Sequence, residues 1–222
     1  MNAIDHPEVG VASLNHSPAT DIHVVASSMP ASLHEALVSL GFTGQAVLGG
    51  DPRVQMNHLL SIKHAEVRES DRVFALAQRA CADVAGFSGY IKQEVVGEDI
   101  VIDSPPVERT PIPCPIRALP QSCPADLYKR CDIHATARVS DEAMHQVLAQ
   151  SGFYHLILRK PLLGAVRVNT LQFESSREGW RTWRQLVDYL KGCEQFRGSA
   201  KLELTRGFVR FGYYTLPPIV KS

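Results

Sequence analysis

Polar and apolar residues alternate from Asp21 to Ser27 in DIHVVAS, with Ile22, Val24 and Ala26 on one side and Asp21, His23 and Ser27 on the other. The alternation returns in DIHATARV, where Ile133, Ala135, Ala137 and Val139 oppose Asp132, His134, Thr136 and Arg138. A period of two is that of a β-strand with one apolar and one polar face. After each strand the period lengthens. Pro30 precedes an apolar stripe of Leu33, Ala36, Leu37 and Leu40, and Ser140, Asp141 and Glu142 precede one of Met144, Val147 and Leu148. A proline near the first turn, or a serine cap followed by acids, suits the start of an amphipathic helix. Gly41 and Gly152 stand where such helices end in a left-handed residue.

The two windows are a repeat. DIHVVASSMPASLHEALVSLGF and DIHATARVSDEAMHQVLAQSGF lie 111 positions apart and agree at eight of 22 residues, where chance gives about one or two. Downstream, HLLSIKH (58–64) aligns with NTLQFES (169–175), and FSGYIKQE (87–94) with FRGSAKLE (196–203). Helical stretches precede the last pair, and short strands are expected near Gln45–Leu48 and His155–Leu158. Each copy thus reads β-α-β-β-α-β. That order predicts an α+β fold, a tandem duplication of a ferredoxin-like module forming a pseudo-dimer with approximate two-fold symmetry. The expected organisation is a lead-in over 1–20, a first module over 21–102, a linker over 103–131 and a second module over 132–222. Half of the fourteen prolines fall between Pro105 and Pro124, which makes the linker extended and semi-rigid.

Charge changes this picture in one respect. The net charge is zero, yet residues 1–111 carry 7 Lys/Arg against 14 Asp/Glu and residues 112–222 carry 16 against 9. Halves of −7 and +7 suggest two copies that attract one another, or an anionic ligand held mainly by the second. A non-specific nucleic-acid binder is usually basic overall, so no nucleic-acid partner is expected. No apolar run is long enough to span a membrane and the N-terminus lacks a signal-peptide layout, which points to a cytoplasmic protein without a membrane partner. The five cysteines have no ligand spacing and read as reduced thiols, although Cys114, Cys123 and Cys131 cluster closely enough to leave a metal or redox role open.

The candidate chemistry lies on the polar strand face. In the usual 4-1-3-2 strand order, Asp21 and His23 lie beside Lys92 and Glu94, and Asp132 and His134 lie beside Lys201 and Glu203. A glutamate next to an imidazole orients it and raises its basicity, while a lysine holds an anion. The expected catalytic residues are His134, His23, Glu203 and Glu94, with Arg138, Thr136, Lys201, Lys92, Asp132 and Asp21 binding substrate. A solvated, salt-bridged sheet face inherited from the duplicated ancestor explains the same residues without function. No metal is expected, because each cluster holds a single histidine, and His58 and His64 fall about 20 Å apart along one strand. His34 and His145 read as solvent-facing. No cofactor is expected either: the chain has no phosphate-binding glycine loop, nucleophile elbow or dinucleotide fingerprint. The stacking positions of an RNA-recognition sheet are filled by His23, Ser27, Leu59, Ser61 and Lys63.

HAT at 134–136 resembles one half of the paired His-x-Thr/Ser motif of 2H phosphoesterases, two-lobed proteins with one strand-borne motif per lobe. That resemblance implies that His134 and Thr136 contact a phosphate. The first copy departs from it, since Val24 and Val25 follow His23. The cluster favours a cofactor-independent enzyme acting on a small anionic metabolite by His/Glu acid-base chemistry, as a lyase, isomerase or hydrolase. The alternative is a non-catalytic small-molecule-binding or protein-interaction module, and third comes a 2H-like phosphodiesterase.

Overall fold

The structure is a computed structural model that describes residues 20–102, 128, 130–138, 142–160, 164–192 and 198–220. The expectations placed on the lead-in, on most of the proline-rich linker with Cys114 and Cys123, and on Ser140 and Asp141 lie outside the described residues. In chain order the elements are β1 (Thr20–Ala26), α1 (Ala31–Ser39), β2 (Thr43–Gly50), β3 (His58–His64), α2 (Val67–Ala82), β4 (Gly89–Ile102), β5 (Arg130–Arg138), α3 (Glu142–Gln150), β6 (Tyr154–Lys160), β7 (Gly164–Phe173), α4 (Ser176–Gly192), β8 (Gly198–Phe211) and β9 (Ile219–Val220).

One sheet runs through both halves in the order β5-β8-β4-β1-β3-β2-β6-β7, and β7 pairs back onto β5. All eight pairings are antiparallel, and short β9 adds in parallel to β7. The expected tandem ferredoxin-like pseudo-dimer is therefore corrected: the described residues form a closed eight-stranded antiparallel β-barrel with four helices. The cause lies at the strand edges. Open sheet edges present unpaired N–H and C=O groups. Here β4 and β8, each 14 residues long, pair along their whole length, while β2 pairs with β6. Alternation within a strand reveals its two faces and says nothing about its edge partners.

The apolar faces turn outward, under the helices. Ile22, Val24, Leu60 and Ile91 pack beneath Leu33 and Leu37 of α1 and Val73 and Ala77 of α2. Ile133, Ala135, Leu171 and Leu202 pack beneath Met144 and Leu148 of α3 and Trp183, Val187 and Leu190 of α4. Gly41 and Gly152 end α1 and α3 at φ +93° and +91°, where a side chain would be strained. The stripe of α3 is rotated from its predicted position. Val147 is exposed, and His145, expected in solvent, is only 3% exposed. Asn169 Nδ2 lies 2.8 Å from His145 Nδ1 and donates to Ala135 O at 3.2 Å, so burial of this imidazole comes with a polar partner. His34 is exposed. No helix among the described residues is long and apolar enough to cross a membrane.

Candidate functional site

Because apolar residues of the strands face the helices, the alternate residues face inward, and closure gathers the polar faces of both halves into one lumen. It holds a cavity of roughly 370 Å³ whose wall includes Asp21, His23, Lys92, His134, Thr136, Lys201 and Glu203. Glu94 and Asp132 sit behind this wall, Glu94 fully buried and Asp132 3% exposed. Asp132 instead reaches a smaller space of about 80 Å³ with Arg130, Gln172 and Phe208. Arg138 is at the far end of β5 opposite Val166; its side chain is outside the described residues.

The charged residues interlock across the two halves. Lys92 Nζ lies 2.7 Å from Glu94 on its own strand and 2.6 Å from Asp132 of the other half. Lys201 Nζ mirrors this, paired with Glu203 on its own strand and 2.5 Å from Asp21 of the first half. Gln172 donates to the same Asp132 oxygen at 2.9 Å. Both lysines are thus already held by two carboxylates, and neither is spare for a ligand anion. Burial lowers the affinity of Lys92 and Lys201 for protons, yet the adjacent carboxylates outweigh it and hold both pKa values above the ordinary range.

The two histidines differ in their bonding. His134 is held at both nitrogens: Nε2 lies 2.9 Å from Glu203 Oε2 and Nδ1 2.9 Å from Thr170 Oγ1. Burial pushes the Glu203 carboxyl up, but His134 first and then Lys201 bring it well below the usual range. An ionised Glu203 only accepts, so Nε2–H donates to it and, in the neutral ring, Nδ1 accepts from the Thr170 hydroxyl. His23 Nε2 is 3.6 Å from Glu94 Oε2, beyond hydrogen-bond range. Burial first, then Lys92, depresses the His23 pKa well below 6.5 despite Glu203, so the ring stays neutral. Burial, with Glu203 and Asp132 nearby, raises Glu94 well above the ordinary carboxyl range against the pull of Lys92. Burial and charge thus drive two neighbouring carboxyl groups in opposite directions, the arrangement that separates an acid from a base within one site.

Asp21, His23 and Glu203, and likewise Glu94, His134 and Glu203, each bring one ligand atom within 4.8 Å of one another. In both sets an ammonium already contacts a carboxylate oxygen, so a divalent cation would have to displace Lys92 or Lys201.

Sequence reasoning missed Thr170, and the reason is a register error. His23 pairs across the sheet with Ser61, and His134 with Thr170, so Ser61 and Thr170 are counterparts, 109 positions apart. The alignment of HLLSIKH with NTLQFES is two residues out and sets Thr170 against Leu59. The hydroxyl opposite each imidazole was visible as a cross-strand relation, not as an identity. Ser61 accepts instead from Gln45 Nε2 at 2.8 Å, which distinguishes its role from that of Thr170. Lys160, Gln45, Tyr154 and Leu156 also line the lumen and come from strands where the repeat shows no identities.

No protein-family model matches the chain, and no curated protein matches it. Among solved structures, a Fusobacterium nucleatum protein provisionally designated a monooxygenase is similar at a TM-score of 0.29 and 9% identity, covering 91% of this chain and 100% of the other. A likeness of that degree carries no functional inference.

Proposed function

We propose that the lumen is an active site for proton transfer on a small molecule, with His134 as the base. The observation that carries this is the line Glu203–His134–Thr170, a carboxylate, an imidazole and a hydroxyl joined by two contacts of 2.9 Å at the cavity wall. Glu203 fixes the ring tautomer and stabilises the imidazolium that forms when Nδ1 takes a proton, the role a buried carboxylate plays beside any catalytic histidine. Thr170 holds Nδ1 until a ligand O–H or C–H replaces it, or passes the proton on. His23, neutral and without a hydrogen bond among the described residues, faces the same cavity as a second acceptor. Glu94 lies behind it, and its burial raises its affinity for a proton against the pull of Lys92. Lyase, isomerase and hydrolase chemistry all use this set.

The same paired charges also suit binding without turnover, because neither Lys92 nor Lys201 is left to stabilise a developing anion. Deuterium exchange separates the two. Incubated in D₂O with a pool of small organic acids, the protein is expected to incorporate deuterium into, or convert, at least one of them as read by mass spectrometry. His134→Ala should reduce that rate by about a hundredfold or more, and His23→Ala by less, on the scale of one lost proton-transfer group. A compound that binds in the lumen without exchange or conversion contradicts the proposal and leaves a binding module.

A further inference from the structure

Among the described residues that line the lumen, one cation has no carboxylate partner. Lys160 lines the cavity at the end of β6, and among the described residues its only polar contact is Gln45 Oε1 at 3.5 Å. No carboxylate of the described residues reaches it: Asp21 and Glu203 are engaged by Lys201, and Asp21 also has Lys63 at 3.6 Å. Three ammoniums, Lys63, Lys160 and Lys201, therefore line the cavity close enough to act on one another, with Asp21 and Glu203 as the nearby carboxylates. Burial, Lys63 and Lys201 all pull the Lys160 pKa down, outweighing Asp21 and Glu203. An unmatched, half-buried ammonium costs free energy that an incoming anion recovers.

The wall beside Lys160 has a different character, since Leu156 and Leu158 share its face of β6. Val25, Leu59 and Met56 from the first half join Leu156, Leu158 and Val166 from the second in a separate apolar cluster, and most of these line the same cavity. A volume of roughly 370 Å³ exceeds twice the about 150 Å³ of an apolar cavity that takes up benzene. It falls at the small end of ligand sites.

We infer that the lumen takes a monocarboxylate with an apolar body about two rings in size, its carboxylate on Lys160 Nζ and its body along Leu59, Leu156 and Leu158. This assignment rests on the lumen being the active site and names the class of molecule it accepts. With its carboxylate on Lys160, the ligand extends its body into the lumen that His134 and His23 also line, so the anchor and the proton-transfer group act on different parts of one ligand. Lys92 and Lys201, which the sequence marks as anion holders, keep the lumen wall together instead.

The probes are 2-naphthoate, its neutral analogue 2-naphthamide, and 2-naphthyl phosphate, titrated by calorimetry and thermal shift. Wild-type protein should bind 2-naphthoate at least tenfold more tightly than 2-naphthamide, the scale of one charge-assisted hydrogen bond. Lys160→Met should remove that preference, and Lys160→Arg should keep most of it. Because Lys160 has no ionic partner to lose among the described residues, both variants should unfold at or above the wild-type temperature. Equal affinity for acid and amide, no binding of either, tighter binding of 2-naphthyl phosphate, or a preference that survives in Lys160→Met would each overturn the inference. His134→Ala should still prefer 2-naphthoate. A preference for the acid without proton transfer would therefore count against the catalytic proposal alone, and turnover of an uncharged compound against this one alone.

Discussion

Lys92 stands between carboxylates that come from opposite halves of the chain, Glu94 at 2.7 Å and Asp132 at 2.6 Å. It is buried, and neither oxygen of Glu94 has a hydrogen-bond partner among the described residues, so the contact of Lys92 with Oε2 is what offsets the burial of that carboxyl. Removing one member of a buried ion pair leaves its partner charged and unsolvated, whereas removing both can be nearly neutral. Lys92→Met is accordingly expected to destabilise the protein by about 3–5 kcal/mol in urea unfolding. Adding Asp132→Leu should restore part of that loss, with a coupling of about 1 kcal/mol or more. Additive effects would mean that the two residues do not touch, and with them the crossing of the halves would fail. At this scale the sequence was informative about polarity and silent about bonding. The recurring Asp-x-His and Lys-x-Glu marked every charged member of the network, because each occupies the same face of an alternating strand. Which nitrogen, which oxygen and which lysine remain available depends on distances of an ångström, and Lys160, unmarked by the repeat, is the lumen lysine left without a counter-ion among the described residues.

The barrel is closed by two seams, and they differ in robustness. β4 and β8 pair over thirteen positions with two register shifts, while β2 and β6 share four with one shift between Val47 and Gly49. Gly50 ends the shorter seam, and a Cβ there would lie 2.7 Å from His155 O and 2.9 Å from Leu156 Cδ2. A backbone oxygen cannot step aside as a side chain can, so Gly50→Ala should cost about 1–3 kcal/mol. Hydrogen exchange should show faster opening at β2 and β6, with β4 and β8 retaining protection. Uniform loss across all strands would mean that the short seam is not a separate point of weakness. Strands and helices were legible from period alone, since β1, β5, α2 and α4 are strongly patterned. Their closure was not, because β2 carries Gly44, Gly49 and Gly50 and shares no identities with β6 in the repeat, and edge pairing leaves no periodic trace. The rotation of α3 escaped for a similar reason: a histidine scored as polar was buried by its bond to Asn169.

For the molecule as a whole, closure converts a polar sheet face into an interior. Two copies of a strand pattern that would each face water alone instead enclose their charges together, and the pairs that cross, Lys92 with Asp132 and Lys201 with Asp21, are reciprocal. Arg206 on β8 adds a further cross-half pair to Asp71 on α2 at 3.0 Å. The opposite charges of the two halves thus partly neutralise each other. The functional consequence is shielding: in a lumen largely screened from bulk water an imidazole stays neutral where an open one takes up a proton near pH 6.5. The measurement that tests this most directly is a ring-nitrogen NMR titration of His23 from pH 7.5 to 5.5, assigned with His23→Gln. Neutral-ring signals are expected throughout, with the His23 and His134 resonances both moving when 2-naphthoate is added. A His23 that titrates with a midpoint near 6.5, unaffected by the ligand, would show a ring open to water and would contradict a shielded proton-transfer site in the barrel.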